Sequence, residues 1–266
     1  IISNTISFLR FPLCVFVVFI HSFGKPDDYN LEFMHNNFFC SYSMFNYLRI
    51  CFSHVLTNIA VPVFFVISGY LFFKGMDKWN WYLFGEKLKT RVQTLLVPYI
   101  LWNILALLLK KGAVIFKYII TPPSFGDLFC KGSSLEWLHF FWDSHTMKYV
   151  YYNFIGTPVV STAPCNVPLW FVRDLFVVML LAPIVFLAIR KLKIWFIFII
   201  AFCYITSIWI SIPGFSSNAF LFFSMGCYVR LYNFDDRKVK IITCPLFVMT
   251  LCLLLVSVYF DGKRTF

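Results

Sequence analysis

Residues Ile6–Phe23 read ISFLRFPLCVFVVFIHSF, eighteen positions with one charged side chain, Arg10, and one imidazole, His21. As a helix rising 1.5 Å per residue, a run of this length nearly covers a hydrocarbon core of about 30 Å. Arg10 precedes ten uncharged residues, as in a secretory signal, but no small-residue cleavage pattern follows His21, so a retained helix is expected. Working outward, similar apolar runs predict spans at Val55–Phe73, Val92–Leu109, Leu169–Ala188, Ile194–Ile212, Ala219–Leu231 and Ile241–Phe260. Such runs are too long and too uniformly apolar for barrel strands, and a lipid-embedded backbone must satisfy its own polar groups. The expected fold is therefore all-α, a polytopic transmembrane helical bundle of about seven spans that forms one domain, residues 1–266.

Composition agrees. The 266 residues are 60% hydrophobic and 13% charged, where soluble domains carry about 25% charged residues. The formal charge of +11 does not point to nucleic acid, because Lys and Arg gather in short segments between apolar runs. Lys74, Lys78, Lys87, Lys89 and Arg91 lie between spans two and three, Arg190, Lys191 and Lys193 after span four, and Arg230, Arg237, Lys238 and Lys240 after span six. These alternate loops are expected in the cytoplasm, which places the N-terminus inside and the lipid bilayer as the constant partner. The segment 24–54 and the link after Ile212 then face outward. Nine cysteines occur without a CxxC pair or a His/Cys cluster of ligand spacing, so no metal is expected.

Ionisable residues inside spans are costly to insert, so each is a functional candidate. Arg10 and His21 stand eleven residues apart, three helical turns plus about 20°, so they share a face at an axial separation of about 16 Å. That spacing suits a long ligand with an anionic end and a reactive end; it is equally the pattern of an arginine snorkelling to headgroups and a histidine bonding a neighbouring helix. The second span contains VPVFFVISGY at Val61–Tyr70. Its Gly69 permits close backbone approach, and Ser68 can donate to a ligand or back-bond within its own helix, although helix packing is the commoner use of such a step. Arg173 and Asp174 read either as catalytic groups or as an interfacial ion pair. His54 and Asn58, four apart, read as helix capping or interhelical bonding, and His35, His139 and His145 fall in loops.

Taken together, these motifs resemble a known family. Arg10 with His21 in the first helix and Phe64-Phe65-Val66-Ile67-Ser68-Gly69 in the second are similar to the paired signatures of the acyltransferase-3 family of membrane acyltransferases. Arg91-Val92-Gln93-Thr94-Leu95-Leu96-Val97-Pro98-Tyr99, Leu169-Trp170-Phe171-Val172-Arg173-Asp174-Leu175 and, more faintly, Phe223-Ser224-Met225-Gly226 resemble later family segments. The resemblance implies transfer of an acyl group, commonly acetyl from acetyl-CoA, from cytoplasmic acyl-CoA to a carbohydrate hydroxyl of a bacterial surface glycan. It implies a multi-pass protein of the inner (plasma) membrane. His21 would be the catalytic base, and Arg10, Arg91 and the Ser68-Gly69 step would support the donor. The topology, with span four running inward, puts Arg173 and Asp174 near its outer end at about the level of His21, where the acceptor is expected. Members usually have about ten helices, so C-terminal helices are expected beyond this sequence. The rival class is a transporter, whose pathways are also built from a few buried charges, although no paired broken helices or internal repeat favours it.

Overall fold

The computed structural model describes residues 2–22, 39–120, 139–152, 156 and 158–232 of the chain. The opening run forms helix α1 (Ile2–Ser22). Helix α2 (Ser41–Ile50) continues through a π-helical turn at Cys51–Val55, closed by a hydrogen bond from the Leu56 amide to the Cys51 carbonyl, and a short 3-10 turn at Thr57–Ile59 into α3 (Ala60–Phe72). Helix α4 (Trp81–Arg91) likewise passes through a π-helical turn at Val92–Leu96 into α5 (Val97–Ile120). After a hairpin come α6 (Trp170–Leu180), α7 (Ala182–Leu192), α8 (Ile194–Thr206) and α9 (Ser217–Leu231).

The second span starts well before Val55. Its first half is apolar on the outside: Ser43, Asn46, Ile50, Ser53 and Thr57 recur at helical spacing and are buried, while Met44, Phe45, Leu48 and Phe52 are exposed. Small polar side chains on the inner face, Ser53 and Thr57 among them, let the 51–59 part of this stretch pack closely against α1. Thr57 returns its hydroxyl to the Ser53 carbonyl at 2.7 Å. Mean hydropathy along the chain is blind to such an arrangement, which is why the sequence places this segment in a loop.

The third span starts at Trp81, where Asn80 accepts from the Tyr82 and Leu83 amides as an N-cap. Arg91 is therefore ten residues inside the helix and does not begin it. The predicted fourth span is bent by 64° between Val167–Leu180 and Ala182–Leu192. Pro183 lacks the amide a continuous helix would need and fits instead in the first turn of α7.

Among the described residues, two helical stretches are long and apolar enough to cross a bilayer, Ser41–Phe72 and Trp81–Leu109, and a third if the bent pair is one span. The apolar part of α1, Ile6–His21, and helix α8 are shorter than the usual span, so the expected count of seven is not reached by this criterion. The predicted span Ile241–Phe260 lies outside the described residues. Leu101, Trp102, Leu105, Leu108 and Leu109 are exposed along α5, a contiguous apolar face of the kind that hydrocarbon covers. A two-stranded antiparallel hairpin, β1 (Ser144–Tyr152) and β2 (Pro158–Ala163), adds to the helical architecture. Its Tyr, Val and Thr residues favour extended backbone.

The core lies where α3 crosses α9. A Cβ at Gly69 would stand 2.2 Å from the Phe223 carbonyl oxygen, and one at Gly226 2.1 Å from the Val66 carbonyl oxygen. The two helices thus meet backbone to backbone through one glycine from each. Lipid is as apolar as a protein interior, so this close approach and its dispersion contacts do the work that hydrophobic burial does in water. Phe72, Phe73, Phe223 and Phe186 complete the core, with Phe73–Phe223 and Phe73–Phe186 ring centroids at 5.8 and 6.0 Å.

Candidate functional site

The helices carry their polar groups to two opposite ends of the bundle. At the first end, Arg91 on α4 is within electrostatic range of Arg10 on α1, and Lys87 is within range of both Arg91 and Arg230 near the end of α9. Lys87 donates to the Phe72 and Lys74 carbonyls, groups that the C-terminus of α3 leaves without helical partners. A cavity of about 260 Å³ opens beside Phe72 and is lined by Lys87, Thr90, Arg91 and Thr94. Four cations, Arg10, Arg91, Lys87 and Arg230, converge here, so the end is suited to a polyanion. The predicted pair Arg10 and Arg91 is thereby brought together; Arg10 is exposed and Arg91 half-buried.

Ser68 is half-buried on α3, and Gly69 is buried at the α3–α9 crossing with its side-chain space taken by the Phe223 backbone.

At the other end, His21 lies eleven residues along α1 from Arg10. It is exposed and lines a cavity of about 290 Å³ together with Asn58, Pro62, Trp170, Phe171, Tyr204 and Asn218. A second cavity, about 220 Å³, is lined by Arg173, Asp174, Thr162, Trp209, Ser211 and, again, Trp170, Tyr204 and Asn218. Three residues therefore form a wall common to the histidine cavity and the ion-pair cavity. The loop topology expects Arg173 and Asp174 at about the level of His21; in the bundle they line the cavity on the other side of that wall.

Arg173 and Asp174 are 4% and 2% exposed. The Arg173 Nε donates to Asp174 Oδ1 at 2.9 Å, and its two terminal nitrogens donate to the Trp142 carbonyl at 2.7 Å and the Thr162 carbonyl at 3.1 Å. Its guanidinium also stands 5.9 Å from the Trp142 ring centroid. The planar fork thus pins the hairpin and the preceding segment to α6. The Ser216 hydroxyl bonds to the Asp174 carboxylate, and its oxygen accepts from the Ala219 amide, capping α9. Arg173→Met is expected to destabilise the protein by about 3–5 kcal/mol, since it leaves a buried carboxylate uncompensated, whereas Arg173→Met with Asp174→Leu should cost less. Thermal unfolding in detergent compares the two; a single variant as stable as the parent would remove the pin.

The sequence reading missed Tyr99 and Asn103. Tyr99 donates its hydroxyl to the Phe141 carbonyl, and Asn103, 1% exposed, bonds the Tyr99 carbonyl at 2.9 Å while accepting from the Asn166 amide at 3.0 Å. An amide inside an apolar run was the available signal for Asn103. Lys87 and Arg230 were read as topogenic charge. Asn218, behind the Ser216 cap, had no signal beyond its place in the first turn of a helix. Asn58 joins the histidine cavity, while nothing is described of the His54 side chain. Among the described residues, no three His, Cys, Asp or Glu side chains group as ligands for a metal.

The family model described as an acyltransferase domain matches residues 4–262. The chain belongs to the acyltransferase-3 family. The match takes in Arg10, His21, Ser68, Gly69, Arg91, Arg173 and Asp174. The chain is also 24% identical over 273 residues to the succinoglycan biosynthesis protein ExoH of Rhizobium meliloti (strain 1021), an alignment that covers 98% of this acyltransferase-family chain. It spans 64% of the length of that curated relative. No solved structure matches. Family and apolar helices together make this an integral membrane protein.

Proposed function

We propose that this protein transfers an acyl group, acetyl foremost, from cytoplasmic acyl-CoA to a hydroxyl of a carbohydrate destined for the cell surface, with His21 as general base. The observation that carries the reading is the division of one bundle into a cationic end and an imidazole end joined by a single helix face. Arg10, with Arg91 and Lys87, supplies charge-assisted donors for the phosphates of the coenzyme. A pantetheine arm along α1 would bring the thioester toward His21, about 16 Å away along the axis. The positive-inside pattern supports a cytoplasmic cationic end, and the ExoH likeness supports a polysaccharide acceptor.

In the proposed step an imidazole nitrogen of His21 takes the proton of the acceptor hydroxyl as its oxygen attacks the thioester carbonyl. The tetrahedral centre collapses, the carbon–sulfur bond breaks, and the thiolate leaves with the proton that the imidazolium returns. Arg173 and Asp174 act as positioning residues that hold the wall facing the acceptor. Ser68 borders the donor path, and Gly69 keeps α3 close to α9 along it.

The test is acetyl-CoA-dependent release of CoA by the purified protein in the presence of its glycan acceptor, followed chromatographically. Arg10→Ala is expected to raise the donor KM about tenfold or more, the loss of one charge-assisted contact worth about 1.5–3 kcal/mol, with the shift shrinking at high salt. An unchanged donor KM would separate Arg10 from the phosphates.

A further inference from the structure

The cavity beside the ion pair has a polar and aromatic lining that the transfer step does not use. Its wall is the link between α8 and α9, residues 207–216, and that link is fastened at several points. Trp142 Nε1 donates to the Pro213 carbonyl at 3.1 Å, Trp209 Nε1 donates to the Phe215 carbonyl at 2.8 Å, and the Trp209 and Phe215 rings stack at 5.4 Å. Gly214 has φ +88°, and a Cβ there would stand 2.9 Å from the Trp142 ring, so the link can seat only with glycine at that point. The cavity is therefore preformed rather than a gap in a loose loop.

Two of the residues lining it carry buried polar atoms with no hydrogen-bond partner, the Thr162 hydroxyl and the Asn218 side-chain oxygen. Buried polar groups are ordinarily satisfied, and one left bare costs about 1–3 kcal/mol. One hydroxyl and one carboxamide can donate to and accept from alcohols alike. The same cavity presents the aromatic side chains of Trp170, Tyr204 and Trp209. An aromatic wall beside small uncharged hydrogen-bonding groups matches a pyranose ring, whose C–H face is apolar and whose rim carries hydroxyls. The volume, about 220 Å³, is below the roughly 300 Å³ at which pockets take drug-sized ligands, so it fits one ring rather than a chain.

We propose that the cavity walled by residues 207–218 is a monosaccharide subsite, in which Thr162 and Asn218 bind hydroxyls of one pyranose unit against an aromatic wall and so orient its reactive hydroxyl toward the neighbouring His21 cavity. The subsite rests on the acyltransferase reading for its role, but its occupancy does not. Asn218 and Trp170 line both cavities, so a ring held on one side is adjacent to the base on the other.

The experiment titrates the purified protein with a panel of methyl glycopyranosides, reading tryptophan fluorescence for binding and, in parallel, glycoside-stimulated CoA release from acetyl-CoA. Saturable binding of at least one glycoside is expected, weakened tenfold or more in Thr162→Val with Asn218→Ala and restored toward the parent in Thr162→Ser. Ser211→Trp, which fills the cavity from an exposed position without removing a core group, is expected to block binding in a protein that elutes like the parent. In CoA release, the variants should raise the glycoside KM rather than the donor KM. Binding that the variants abolish, without CoA release by any preparation, would keep the subsite and remove the acyltransferase reading. CoA release stimulated by a glycoside whose KM the variants leave unchanged would do the reverse. Failure of every glycoside to bind overturns the subsite.

Discussion

Replacing His21 with alanine is expected to lower acyl transfer by about 10²- to 10⁴-fold, the usual contribution of a positioned general base. His21 lines an open cavity near the end of α1, so truncating it removes no core contact and should leave elution and thermal unfolding close to the parent. The loss should fall on kcat while the donor KM moves little, because on the proposed reading the phosphates would bind some 16 Å away at the other end of the helix face. His21→Gln separates two roles: a glutamine can hold a hydroxyl by hydrogen bond but cannot carry its proton. Transfer by His21→Gln at the rate of the parent would exclude proton abstraction by this residue. Trapping acyl-CoA with the parent in the absence of acceptor would reveal an acyl-histidine if the group passed through the ring covalently.

The second large effect is structural. Gly226→Leu is expected to abolish recovery of folded protein, and Gly226→Ala to destabilise by about 3 kcal/mol or more, at the upper end of overpacking costs. A Cβ at Gly226 meets the Val66 carbonyl oxygen at 2.1 Å and the Tyr70 amide nitrogen at 2.8 Å, both backbone atoms that no rotamer change can move. Gly85→Ala serves as the contrast. It too lies inside a helix, but its Cβ would meet nothing within 4 Å, so alanine should be neutral or stabilising by up to about 1 kcal/mol through the lower entropy of the unfolded chain. Thermal unfolding of both variants in one detergent makes the comparison; equal stability of Gly226→Ala and the parent would mean that α3 and α9 are not in backbone contact.

Apolar runs were enough to read α1, α3, α8 and α9 and the membrane setting, because a stretch of aliphatic and aromatic residues has few other uses. They missed α2, whose Ser43, Asn46, Ser53 and Thr57 point inward while Phe45, Leu48 and Phe52 point out, the reverse of the polarity that soluble helices teach. The bend at Leu181 was foreshadowed by Pro183, yet hydropathy carried the span straight across it. For the site, Arg10, His21, Arg173 and Asp174 were conspicuous because charge inside an apolar run is conspicuous. Thr162, Asn218 and Trp170 were not, since their meaning comes from standing together on one cavity, a relation between α6, α9 and the hairpin that no local spacing encodes. Likewise Gly69 and Gly226, 157 positions apart in the numbering, explain each other only once the helices cross.

The wide turn at Val92–Leu96 changes the angular count of its helix. In a regular helix, at about 100° per residue, Tyr99 would point about 80° and Asn103 about 120° away from Arg91. A π-helical turn behaves as one inserted residue, so the offsets fall to about 20° on either side of Arg91. A single stutter therefore aligns the guanidinium that faces the cationic end with the phenol and carboxamide that anchor the opposite rim, along one edge of a continuous rod. Through it the third span parallels the first, where the eleven residues from Arg10 to His21 give the same alignment at ordinary helical spacing.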